Sequence, residues 1–137
     1  MPSVASISDL PLFAGLTPAE ITDLESRMRR REFAPQQTIV REGGPADAAF
    51  LIVSGLVAVR HKDADSGVEF FLAELGVGQM FGEMALITGH PRTATVVAIE
   101  PTVCAVLERP DFERALAQHP GIAFALARVM AERLDKA

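Results

Sequence analysis

The chain carries a single cysteine, three histidines and neither tryptophan nor tyrosine, so its only aromatic residues are eight phenylalanines. Cys104 has no second cysteine to pair with, and its apolar, strand-like surroundings read as a buried thiol in a reducing compartment. His61, His90 and His119 are isolated from one another, and none stands at a metal-ligand spacing from another. No window approaches 18 consecutive apolar residues, so no membrane-spanning helix is expected. The opening Met1-Pro2-Ser3-Val4 lacks a basic region followed by a long apolar stretch. No signal peptide is expected, therefore, and the cytoplasm is the default. Basic residues are in deficit, 13 against 18 acidic, for a net charge of −5. A polyanion would be repelled overall, so nucleic-acid binding by this chain alone is not expected.

Catalytic constellations are missing too. No second acid stands near Glu83 to make the carboxylate pair that glycoside or phosphodiester chemistry needs, and there is no activated serine or cysteine motif. Gly76-Val77-Gly78 would need a third glycine where Phe81 stands, and a βαβ context, to bind a dinucleotide; it reads as a turn. No enzyme, no catalytic residue and no metal are expected.

What is present fits one domain. A length of 137 residues allows a single core, and 49% hydrophobic with 23% charged residues is ordinary for a globular chain. Residues 1–9 read as a flexible lead-in and 10–137 as the domain. Thr17, Pro18 and Glu20 form a helix start with a capping box, and Leu16 and Ile21 can close a hydrophobic staple. That helix is expected to run through Leu24 and Met28 to Arg29-Arg30-Arg31, whose cations suit the carbonyl end of its dipole.

From Glu32 the period shortens. Thr38–Val40, Ala49–Arg60, Val68–Leu75, Ala94–Ile99 and Val103–Leu107 are short runs rich in β-branched or aromatic residues, separated by glycine- and aspartate-rich turns. Such spacing predicts an antiparallel sandwich or barrel, such as a jelly roll. A helix opens at Pro110-Asp111-Phe112-Glu113 and stops at His119-Pro120-Gly121. A last one, Ile122–Leu134, carries enough apolar surface to touch more than the barrel: a bound base, or the same helix of a second subunit.

The stretch Phe81–Thr95 carries the chemistry. Gly82 to Ile87 predicts a short helical turn opened by a glycine that lets a ligand approach the backbone. The first amides of such a turn lack partners and suit an anion. Gly89, His90 and Pro91 turn the chain back, and Arg92 can then aim its guanidinium at the same anion. Glu83 would repel a phosphate but can accept a hydrogen bond from a neighbouring hydroxyl. Amide donors and an arginine for phosphate, with a carboxylate for hydroxyl, suit a sugar phosphate.

The run Phe81-Gly82-Glu83-Met84-Ala85-Leu86-Ile87, followed by Pro91-Arg92-Thr93-Ala94-Thr95, closely resembles the phosphate-binding cassette of cyclic nucleotide-binding domains. These occur in cyclic-AMP-dependent kinase regulatory subunits, cyclic nucleotide-gated channels and bacterial catabolite-activator-type regulators. Glu42-Gly43, Asp47, Phe50, Gly55, Val57 and Val59 resemble the family's early strands and read as structural. The resemblance implies an antiparallel jelly-roll β-barrel with an N-terminal helix and C-terminal lid helices. It also implies that Arg92 binds the exocyclic phosphate oxygens, Glu83 takes the ribose 2′-hydroxyl, and amides at Gly82, Glu83, Met84 and Ala85 hold the remaining phosphate oxygens. The Thr93 hydroxyl can reach phosphate or base, or Thr93 can serve only as a β-branched strand residue; it does not decide between cyclic AMP and cyclic GMP. Without Trp or Tyr, the lid residue falls among Met130, Arg133 and Leu134.

The expected function is a regulatory module that binds a cyclic nucleotide, cyclic AMP foremost, and closes its last helix to signal to an effector domain or protein. A homodimer through that helix is one expected assembly. The alternatives are the ligand-binding half of a transcription regulator, whose helix-turn-helix would follow Ala137, and a ligand-free dimerisation domain.

Overall fold

The computed structural model describes residue 7 and residues 13–135, with side chains at all of these except 84, 85, 129, 130 and 133–135. The first helix, α1 (Pro18–Arg27), starts as expected: Glu20 N–H donates to Thr17 Oγ1 and Thr17 N–H donates to a Glu20 carboxylate oxygen, closing the capping box. It ends earlier than expected. Arg29–Phe33 is a strand, β1, paired antiparallel from Arg29 opposite Val106 to Phe33 opposite Thr102. A charged run leaves local propensity nearly silent, so the pairing partner decides, and burial of Phe33 sets which face turns inward.

Seven more strands follow: β2 (Thr38–Val40), β3 (Ala48–Ser54), β4 (Val57–Lys62), β5 (Glu69–Leu75), β6 (Met80–Phe81), β7 (Thr95–Ala98) and β8 (Thr102–Glu108). The run expected as one strand from Ala49 to Arg60 is two, broken at Gly55-Leu56. Among the described residues all pairings are antiparallel, in two four-stranded sheets ordered β1-β8-β3-β6 and β2-β7-β4-β5. The antiparallel core with flanking helices is the expected class. The two sheets remain open, however, and do not close into the expected barrel.

Two apolar cores follow from the first sheet having both faces covered. In β3 the period-two alternation sends Ala48, Phe50 and Ile52 between the sheets, with Phe33, Val57, Phe81, Val96, Ala98, Cys104 and Val106. Ala49 and Leu51 face the other way, onto the helices, with Leu24, Leu86, Leu107, Phe112, Ile122 and Leu126. A strand buried on both faces reads as an uninterrupted apolar run, which is what Ala48–Val53 is. Ile7 also lies in the helical core, and its N–H donates to Glu25. That residue, at least, is not part of a loose lead-in; residues 1–6 and 8–9 lie outside the described residues.

The helical arm consists of α3 (Arg109–Gln118) and α4 (Pro120–Asp135), separated at His119. Pro120 and Gly121 belong to α4, which therefore begins two residues before the expected Ile122; a proline fits the first helical position because its missing N–H has no partner there. Among the described residues, no helix is long and apolar enough to cross a membrane.

Candidate functional site

The expected turn is α2 (Glu83–Thr88), hung between the two cores. On its N-terminal side Phe81 stacks on Phe50 with ring centroids 5.0 Å apart, fixing the chain one residue before Gly82. Inside the helix Leu86 is buried in the helical core. Both ends of the cassette are thus set by ordinary hydrophobic packing, and the backbone between them has little freedom to shift.

Arg92 is placed by equally local means. Its N–H donates to Gly44 O at 3.0 Å and its carbonyl accepts from Gly43 N–H at 2.8 Å, so the Gly43–Asp47 loop holds its backbone. The side chain turns inward and the residue is only 6% exposed. Nη1 donates to Gly82 O at 3.1 Å, Nη2 donates to Ala48 O at 2.5 Å and reaches Asp47 Oδ1 at 3.5 Å. The guanidinium carbon lies 6.0 Å from the Phe50 ring centroid. Nε is buried and has no hydrogen-bond partner among the described residues. Burial lowers the basicity of the group, and the neighbouring Asp47 carboxylate is the chief opposing influence, with Glu83 acting in the same sense as Asp47. The guanidinium keeps its charge, and that charge is aimed at the Gly82 backbone.

Gly82 is required there on two counts. Its φ is +82°, and a Cβ would lie 2.6 Å from Arg92 Nη1 and 3.1 Å from Ala48 O. Only a residue without a side chain lets the guanidinium and the start of α2 come together.

A cavity of about 430 Å³ opens beside this pair. It is lined by Gly82, Glu83, Thr88, His90, Arg92 and Thr93 together with the apolar Val40, Val59, Leu75, Met80 and Val96. The volume falls in the ordinary range for a small-molecule site, and a buried guanidinium among aliphatic side chains suits a ligand with an anionic group and an apolar body. Of the sequence candidates, Gly82, Glu83, Arg92 and Thr93 meet at this cavity. Met84 and Ala85 lie in the first turn of α2, and nothing beyond their backbone is described. The expected lid residues Met130, Arg133 and Leu134 have side chains outside the described residues.

Asp47 reads as structural in the sequence, yet it is an acidic neighbour of Arg92 from 45 positions away. No local pattern announces that role. Arg109, at the start of α3, is the second: its N–H donates to Asp47 O and its Nε to Ala46 O, both at 2.8 Å. Among the described residues no group of three potential metal ligands occurs.

Comparison with known proteins bears on this geometry. A sequence profile described as the cyclic nucleotide-binding domain matches residues 30–119. The chain is 36% identical over 127 residues to the cyclic AMP receptor protein of Thermus thermophilus, covering 93% of this chain and 58% of that one. It is 36% identical over 130 residues to the acetyltransferase Pat of Mycolicibacterium smegmatis, covering 95% of this chain and 38% of that one. The chain therefore spans well under two thirds of either relative. The crystal structure of the N-terminal domain of a transcriptional regulator from Streptomyces coelicolor A3(2) superposes with a TM-score of 0.86 at 32% identity, covering 96% of this chain and 94% of that one.

Proposed function

Because the chain belongs to the cyclic nucleotide-binding domain family, we propose that it is a regulatory module that senses a cyclic nucleotide in the cytoplasm and does no chemistry of its own. Cyclic AMP is the proposed ligand, with cyclic GMP the competitor to be tested against it. The observation that carries the reading is the buried Arg92 guanidinium held against Gly82 in a cavity that aliphatic side chains also line.

In this reading the cyclic phosphate faces Arg92 and the amides of residues 82–85. Glu83 accepts the ribose 2′-hydroxyl, and the base lies along Val40, Val59 and Leu75, with Thr93 at the mouth. Low polarity around the phosphate strengthens each of these contacts over its value in water. Capture of the phosphate draws the cassette inward, and α4 closes over the base by pivoting at His119. The ligand shifts that equilibrium only by its difference in affinity for the open and closed arrangements. The outward side of α4, where Phe124 is 72% exposed, is a surface an effector can meet.

Titration calorimetry with cyclic AMP, cyclic GMP and AMP tests the proposal. Arg92→Ala removes the partner of a buried phosphate charge and should cost about 2–5 kcal/mol of binding, roughly 30- to several-thousand-fold. Glu83→Ala should weaken a ligand bearing the 2′-hydroxyl more than its 2′-deoxy analogue. Unchanged affinity in Arg92→Ala would reject the site, and equal losses in the second comparison would reject the ribose contact.

One observation favours a particular output. The match to the Streptomyces regulator's N-terminal domain covers nearly the whole of both chains, which supports the ligand-binding half of a transcription regulator as the second reading. Joining the chain to a helix-turn-helix and finding no ligand-dependent operator binding would count against it.

A further inference from the structure

The nucleotide site leaves Arg29-Arg30-Arg31 unused. All three are exposed on β1, the outer strand of the first sheet, which among the described residues pairs with β8 alone. Across that pairing they face Val106, Ala105 and Cys104, so the neighbouring strand offers no acid to any of them. No ion pair or side-chain hydrogen bond joins them to a described acidic residue. Arg31 instead rests its guanidinium 5.5 Å from the Phe33 ring centroid. Three unneutralised cations in a row stand out in a chain of net charge −5. Charge on an outer strand ordinarily guards it against a strand of its own kind, since like charges set opposite each other are destabilising. The same charge favours a strand of opposite sign.

We propose that the outer edge of β1 takes an extended acidic segment of a partner protein as an added strand. Geometry decides among anionic partners. Side chains alternate along a strand, so Arg29 and Arg31 turn to the side of Phe33, between the sheets, and Arg30 turns to the other side. A flat polyanion laid on either face would meet two of the three at most. An added strand lies in the plane of the sheet and alternates with the same period, so three consecutive carboxylates can each stand opposite one arginine. Backbone pairing to the outward N–H and C=O groups of β1 supplies affinity, and the charges supply selection. Glu32, next in the strand, confines the acidic run to the three positions before it. A second copy of the chain is a poorer occupant, because a two-fold centred on Arg30 sets Arg29 against Arg31 and Arg30 against its own image.

Titration calorimetry of the whole chain with the blocked peptide Thr-Val-Glu-Glu-Glu-Val-Thr tests this, beside two comparison peptides. One carries glutamine for each glutamate, and the other is N-methylated at each glutamate. Amide NMR maps where the peptide sits. The acidic peptide should bind and shift the resonances of Arg29–Phe33. Glutamine for glutamate should weaken it roughly 3- to 150-fold, the ordinary strength of three cross-strand charge pairs. Replacing the arginines together (Arg29→Gln, Arg30→Gln, Arg31→Gln) should do the same, with thermal unfolding verifying that the variant folds. N-methylation should abolish binding, because it removes backbone donors that a purely ionic contact does not need. No binding of the acidic peptide overturns the proposal, as does equal affinity for the glutamine peptide, indifference to N-methylation, or shifts confined to other residues. Duplex DNA or phosphatidylglycerol vesicles retained through these arginines, with no peptide bound, overturn it in favour of a polyanion surface. A dimer in sedimentation velocity that the glutamine variant dissolves, with no peptide bound, overturns it in favour of a second copy.

Discussion

Gly82→Ala separates the two reasons for a glycine beside the Arg92 guanidinium, and both have magnitudes. At φ +82° an L-residue sits in the left-handed region, at about 1–2 kcal/mol. The new Cβ would start 2.6 Å from Arg92 Nη1. Ordinary carbon contacts begin near 3.5 Å, so the guanidinium must retreat by roughly 1 Å. That retreat breaks the 3.1 Å bond to Gly82 O, a charged hydrogen bond with about 1.5–3 kcal/mol at stake. The sum, about 2.5–5 kcal/mol, should lower Tm by roughly 10 °C or more in a domain of this size. Cyclic AMP affinity should fall at least tenfold, about 1.4 kcal/mol, because the phosphate's cation has moved. Gly67→Ala is the control: its φ is +72° but the nearest atom to a new Cβ is the flexible Lys62 Cε at 3.9 Å. It should show the backbone strain alone and bind ligand normally. If calorimetry finds the same affinity in both variants, guanidinium placement does not set the strength of the site.

Two further outcomes follow from neighbouring groups. Asp47 touches Arg92 at 3.5 Å, but its side chain is largely exposed; Asp47→Asn should therefore weaken binding by only about 0–1 kcal/mol, and a hundredfold loss by calorimetry would mean that Asp47 meets the ligand itself. The buried Cys104 thiol is pushed up to about 11 by burial, from an ordinary value of 9.0. The folded chain thus holds that proton to higher pH than the unfolded one, so this contribution is complete below about pH 9 and is lost as the pH rises toward 11. Urea titrations should show a shallower alkaline decline in Cys104→Ala than in the parent, and identical profiles would refute the account.

The features legible in the sequence are those with local causes. Thr17 and Glu20 announce a helix start because a capping box is made within four residues, and Phe81–Thr95 announces its own geometry because glycine, helix formers and Pro91-Arg92 act at fixed offsets. Arg29–Arg31 was illegible because charge says little about strand or helix, and only the distant β8 makes it a strand. Met80–Phe81 is too short to show a period, and its strand character comes from pairing with Phe50 and Leu51. Asp47 and Arg109 fall in the same class: each is defined by a partner more than 40 residues away. Closure of the sheets depends on edge-to-edge contact between strands that no run of residues encodes.

The loop from Gly43 to Asp47 is gripped at both ends by arginines, one in the cavity and one opening the helical arm. Every backbone bond in that grip uses a carbonyl or an amide of the loop, so none depends on what Pro45 or Ala46 carries as a side chain. Span is therefore what this five-residue strut must conserve. Changing the side chain at Pro45 or Ala46 leaves the mechanical link intact, whereas adding a residue would put slack between the anion's cradle and the arm that answers it.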